Sequence, residues 1–191
     1  FYVLGKLETV RLVETKEAIV TIYHNNGEYL GTSSFIVSHN LTKKALMEKI
    51  NDAIFAAKFV KNKPFELVKG EKKKTFKSKP INEKPVEIIE EIATIFNNEK
   101  TDNAKFNALE IFLNTKISHL VNSNGVDLTK TIHNIEIEAI PSYDGPNDKV
   151  ELYKNYKYLS YDKSQITEDA KNAIKDVEAR YNAKKLENVA T

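Results

Sequence analysis

Four histidines and no cysteine are what this sequence offers to metal or nucleophilic chemistry. A hydrolytic zinc centre needs two histidines about one turn apart on a helix, a glutamate to activate water and a third ligand. His24, His39, His119 and His133 are dispersed along the chain, and none stands at that spacing from another. His24 and His39 flank a hairpin beside turn residues. His119 and His133 fall on opposing strands, where they could be cross-strand neighbours. Each reads as a surface or strand residue with no ligand role, so no metal-binding residue is expected here. Without cysteine, this chain has no disulfide, no thiolate zinc site and no cysteine nucleophile.

Other catalytic constellations are also missing. A nucleophile elbow needs a serine framed by glycines between strand and helix, and neither Ser33-Ser34 nor Ser123 has that frame. The six glycines are scattered singly, so no phosphate-cradling loop is encoded. The carboxylate pairs Glu90-Glu91 and Glu136/Glu138 lie on helix and strand faces where solvent exposure accounts for them. Tyr153, Tyr156, Tyr158 and Tyr161 interleave with Lys154 and Lys157, a pattern that could stack bases and hold phosphates. The favoured reading is an amphipathic strand whose tyrosines pack while its lysines face water. No catalytic and no cofactor-binding residue is expected.

The elements that would position these side chains follow from periodicity. Residues 9–37 read as strands: Val10 and Leu12, then Ala18, Val20 and Ile22, alternate with polar residues, and Asn25-Asn26-Gly27 supplies a turn before Tyr29 to Val37 returns. Residues 42–60 read as a helix with Leu46, Ile50, Ala53, Ile54 and Ala57 on one face, N-capped by Thr42 or Asn40 and ending near Lys61-Asn62, before Pro64. Residues 62–84, with the lysine run from Gly70 to Pro80, read as a mobile, extended connector. A second helix is expected over 85–98, with Pro85 in its first turn and Val86, Ile89, Ile92, Ala93, Ile95 and Phe96 inward. Strands follow at Leu109–Leu113 and Ile117–Val121, with Asn114-Thr115 as a turn between them. Asn122-Ser123-Asn124-Gly125 is the clearest turn, and a long strand through Ile132 to Ala139 comes after it. Residues 141–148 read as a loop, Val150 to Tyr161 as one more strand, and Thr167 to Lys185 as a last helix with Ile174, Val177, Tyr181 and Leu186 inward. Grouped strands and helices without βαβ alternation imply an α+β fold: antiparallel sheets from two hairpin or meander regions, with about three helices.

The chain has 191 residues, enough for one domain with a real core or two small lobes. Lys plus Arg is 29 against 27 for Asp plus Glu, a net charge of +2 with both signs interspersed, so nucleic-acid binding is not expected. No apolar run approaches the roughly 18 residues of a membrane span, and no signal-peptide pattern is present. A cytoplasmic location is expected of a chain without cysteine. The chain starts at Phe1 inside apparent structure and stops at Thr191 just past a helix, which is expected of a piece cut from a larger protein.

Three stretches carry a resemblance. Gly27-Glu28-Tyr29-Leu30-Gly31-Thr32-Ser33-Ser34, then Asn40-Leu41-Thr42 and the helix to Ala57, resembles the glycine-containing hairpin and alanine-ended helix of the TldD/PmbA family. Val121-Asn122-Ser123-Asn124-Gly125-Val126-Asp127 is similar to that family's turn before a long threonine-containing strand. The helix from Thr167 to Ala183 resembles the one leading into the family's catalytic half. The family has been described as modulators of DNA gyrase and as zinc metallopeptidases.

The resemblance implies that residues 1–186 are an amino-terminal TldD/PmbA-like domain and that 187–191 begin a linker to a missing carboxy-terminal half. TldD-type members carry an HExxxH zinc motif and a cysteine ligand in that half; their PmbA partners lack the motif and pair with them. Neither feature is present here, so no catalytic residue carries over: either the catalytic half, with its zinc, is the missing one, or the chain is a PmbA-like subunit whose second half has no zinc ligands. Asn122, Ser123 and Gly125 match the family's turn, as structural residues. The implied partners are a second family member, in a homo- or heterodimer, and unfolded peptide. The low glycine content and the lysine-rich 62–84 segment depart from the family's pattern. The alternative is a stand-alone binding module that takes nucleic acid or an acidic partner through the lysine-rich loop.

Overall fold

A computed structural model of the chain describes residues 1–38, 40–70, 73–78, 81 and 84–184. His39, four positions of the lysine run (Glu71, Lys72, Lys79 and Pro80), Lys185, Leu186 and the expected linker at 187–191 lie outside the described residues. The chain divides into two compact units: Leu12–Gly70, and a discontinuous one made of Phe1–Arg11 and Glu71–Thr191. The fold is α+β, with mostly antiparallel sheets.

The discontinuous unit opens with two short strands, β1 (Tyr2–Val3) and β2 (Lys6–Leu7), paired antiparallel. The inserted unit holds β3 (Ala18–Asn25), β4 (Leu30–Val37) and the helix α1 (Lys43–Ala57). β3 and β4 pair from Ala18↔Val37 to Asn25↔Leu30 around a turn in which Gly27 takes a φ of +87°. Val10 and Leu12, expected in a strand, are exposed and outside any element, so the first hairpin begins only at Ala18. Thr42 caps α1 by accepting the Ala45 amide at 3.2 Å. The helix ends at Ala57, short of its expected end: the amides of Lys58, Phe59 and Val60 bond carbonyls three residues back, and beyond them the Leu30 amide bonds the Asn62 carbonyl at 3.1 Å. Ala53 and Ala57 are the buried residues of its apolar face.

The rest of the discontinuous unit follows in order. β5 (Lys74–Lys77) falls within the stretch expected to be a connector. It runs parallel to β7 (Asp127–Asp144), from Lys74↔Leu128 to Lys77↔Thr131. A strand on a sheet edge is held by backbone hydrogen bonds, so a lysine-rich sequence suffices. α2 (Pro85–Asn98) begins with its proline, as expected, but Val86 is exposed and Ile88 is buried in its place.

β6 (Ala104–Val121) is one strand of 18 residues, and β7 is as long. Asn114-Thr115, expected as a turn, runs straight through. Asn114 donates to the Asn134 side chain at 3.1 Å and Thr115 bonds His133 at 2.9 Å, so cross-strand partners satisfy both polar side chains. β7 likewise continues past Pro141 into the expected loop. The register shift between Phe106 and Ala108 falls opposite Pro141, and an irregularity there tolerates a residue with no amide hydrogen to give.

Val150 to Tyr161, expected as one strand, is two: β8 (Lys149–Glu151) and β9 (Lys154–Tyr158), both antiparallel to β7. α3 (Lys163–Tyr181) starts a turn earlier than expected, because Asp162 rather than Thr167 caps it, accepting the Gln165 amide at 3.1 Å. The seven-stranded sheet has the order β2-β1-β6-β7-β5, with β8 and β9 also on β7.

Alternation decides what this sheet presents on each side. From Ala108 onward β6 and β7 pair so that Leu109, Ile111 and Leu113 stand beside Ala139, Ile137 and Ile135. These odd-numbered residues share one face, and α2 and α3 cover its root. Phe96, Ile92, Ile166 and Val177 complete a core closed by the Phe96–Phe106 ring contact at 5.0 Å. The even-numbered residues form the opposite face, and no helix of this unit packs on it among the described residues.

Candidate functional site

The long hairpin extends beyond its helices. From Asn114 to Val121 every residue of β6 is exposed, including Ile117 at 69% and Leu120 at 60%. Its tip is the Asn122–Gly125 turn. The Asn122 carboxamide oxygen accepts the amides of Asn124 and Val126, each at 3.0 Å, and Gly125 adopts a φ of +86°. Of the turn residues singled out in the sequence, Asn122 and Gly125 therefore shape the backbone, while Ser123 is exposed.

The histidines are spread over this architecture. His24 is in β3, opposite Gly31. His119 and His133 do lie on neighbouring strands, but they are not register partners: His119 pairs with Thr129 and His133 with Thr115. His119 Nε2 lies 2.8 Å from Asp127 Oδ1, and Lys73 approaches the same carboxylate at 3.9 Å. Among the described residues no three His, Asp or Glu side chains gather as metal donors.

The tyrosine-rich segment divides by face. Tyr156 and Tyr158 turn toward α3, where their hydroxyls bond the Asp169 carbonyl at 3.3 Å and the Asp169 carboxylate at 2.7 Å. Burial, with Asp169 and Asp176 nearby, pushes the Tyr156 hydroxyl up to about 12. Burial first, then the bond to Asp169, raises Tyr158 as well. Lys157 faces away and pairs with Glu136 at 3.2 Å. The expected division between packed tyrosines and solvated lysines fails at two positions: Tyr153 is exposed, and Lys154 reaches Asp176 on α3 at 2.6 Å. No row of exposed rings is left for stacking.

The carboxylates are not equivalent. The Asn155 side chain first, then Lys157, holds the Glu136 carboxyl below its usual range. Lys163, bonded at 2.6 Å, does the same for Glu91. Glu138 differs. It is half-buried and stands directly across from Glu110, also half-buried, and neither has a cationic partner among the described residues. Like charges directly opposite on a sheet repel. Further out on the same even-numbered face, Lys74, Lys116 and Lys130 are exposed and have no acidic partner among the described residues. One face thus carries uncompensated negative charge at its root and uncompensated positive charge toward its tip. In the sequence Glu136 and Glu138 stand out and Glu110 does not, because only the strand register brings Glu110 and Glu138 together.

No protein-family model matches the chain, and no curated protein matches it significantly. No helix among the described residues is long and apolar enough to cross a membrane.

Proposed function

We propose that this chain is the non-catalytic amino-terminal region of a TldD/PmbA-like protein, contributing assembly contacts and peptide access to a site carried elsewhere. The observation that carries this reading is that the residues on which the resemblance rests act as joints. Asn122 and Gly125 build the tip of a projecting hairpin, and Gly31 seats a strand against the alanine-ended helix. An α+β region of this kind can wall off a peptidase site and admit extended peptide, because backbone hydrogen bonds to a strand are indifferent to peptide sequence. Zinc chemistry, where present, belongs to another segment, and a cytoplasmic location accords with a chain that has no cysteine.

The test is hydrolysis of unfolded peptide by the purified chain with added zinc. The chain alone should be inert. Turnover that a chelator abolishes would overturn the proposal.

A further inference from the structure

The even-numbered face of the long hairpin is complementary to itself. Its root carries the Glu110/Glu138 pair, and its outer part carries Lys74, Lys116 and Lys130. Between and beside these charges the same face presents Phe112, Leu120, Leu128, Ile132 and Phe76. A patch that holds both members of a complementary set can dock on its own copy about a two-fold axis.

We propose that this face binds a second copy of the same chain, the two hairpins antiparallel, with each lysine-bearing arm laid over the Glu110/Glu138 pair of the other. This rests on reading the chain as an assembly domain and names the surface that does it. The spacing suits the arrangement. Glu110 and Lys116 lie six residues apart on one strand, about 20 Å at ~3.3 Å per residue, so a two-fold axis at the level of Leu113 brings each onto the other's partner. Sheets stack about 10 Å apart, a gap that an extended lysine and glutamate span together. Docking gives the two opposed carboxylates cationic partners and covers the exposed Phe76 and Leu120 together with the half-buried Phe112, Leu128 and Ile132. Nucleic acid suits the face less well, since the glutamate pair would repel phosphate and the apolar residues would have nothing to bury against.

Sedimentation of the 191-residue chain across a concentration series should show a reversible dimer that salt weakens. The double variant K116E/K130E sets glutamate over glutamate, and E110K/E138K sets lysine over lysine; each alone should dimerise at least about tenfold more weakly. Mixed one to one, the two variants should form a heterodimer, because both contacts are then opposite in sign. Circular dichroism verifies folding. If E110K/E138K misfolds, the exposed single variant K116E, mixed with wild type over a salt series, replaces it and should still weaken self-association. A chain that stays monomeric, or a dimer indifferent to charge reversal, overturns this docking surface. So does a monomer whose lysines bind duplex nucleic acid or an acidic peptide instead. Chelator-sensitive hydrolysis by the chain would overturn the broader functional reading, whatever its oligomeric state.

Discussion

A Cβ added to Gly31 would stand 1.7 Å from the Ala57 carbonyl oxygen and 2.7 Å from its carbon. Strand β4 therefore touches the end of α1 backbone to backbone, and no side chain fits between them. Because the obstacle is main chain, no rotamer change relieves it. Gly31→Ala should destabilise the inserted unit by about 3 kcal/mol. Hydrogen exchange should show lost protection in β3, β4 and α1. Retention of wild-type protection there would refute the close approach.

The core of the larger unit turns on Phe96, fully buried on α2 and in ring contact with Phe106 and, at 6.3 Å, with Tyr156. Phe96→Ala should cost about 3–5 kcal/mol in urea unfolding, the range for emptying a large aromatic site. A loss below about 1 kcal/mol would mean that the ring is not enclosed as described.

At the hairpin tip the expected effects are local. Asn122→Ala removes the acceptor of two backbone amides and should cost about 1–2 kcal/mol. Gly125→Ala forces a side chain into the left-handed region for a further ~1 kcal/mol. Faster amide exchange confined to the ends of β6 and β7 is the signature to look for. Loss of protection throughout the sheet would show that the tip governs more than its own strands.

The half-buried tyrosines give the protein an alkaline limit. An unfolded tyrosine ionises near 10.0, while Tyr156 in the fold holds its proton to about 12. A raised folded value means that the associated stability is intact below pH 10 and is lost between pH 10 and 12. Tyrosinate absorbance should therefore rise in two stages, the later one coinciding with loss of the circular dichroism signal. Tyr158→Phe should move that unfolding to higher pH, because one ionisation then no longer drives it. Complete tyrosine ionisation with the fold intact would contradict the burial.

Much of this architecture can be read from local chemistry. Thr42 announces a helix start because its hydroxyl replaces a missing amide acceptor, and Pro85 does so because a first-turn residue has no intrahelical bond to lose. Asn122 to Gly125 reads as a turn for reasons contained within four residues. What could not be read depends on distant partners. Asn114 and Thr115 resemble a turn until Asn134 and His133 are set beside them. β5 shows no apolar alternation, and only its pairing with β7 makes it a strand. Glu110 and Glu138 are unremarkable singly, and their opposition exists only in the register.

The insertion of Leu12–Gly70 into the other unit has a kinetic corollary. β6 and β7 can zip from their own turn, closing a loop of only a few residues. β1 must find Leu109 and Ala108 across more than a hundred residues of chain. Loop-closure entropy favours the hairpin as the early nucleus and leaves β1 to arrive after most of the sheet exists. The strand that arrives last is also the easiest to release, so partial opening under mild denaturant should begin at the sequence's first residues while the hairpin holds.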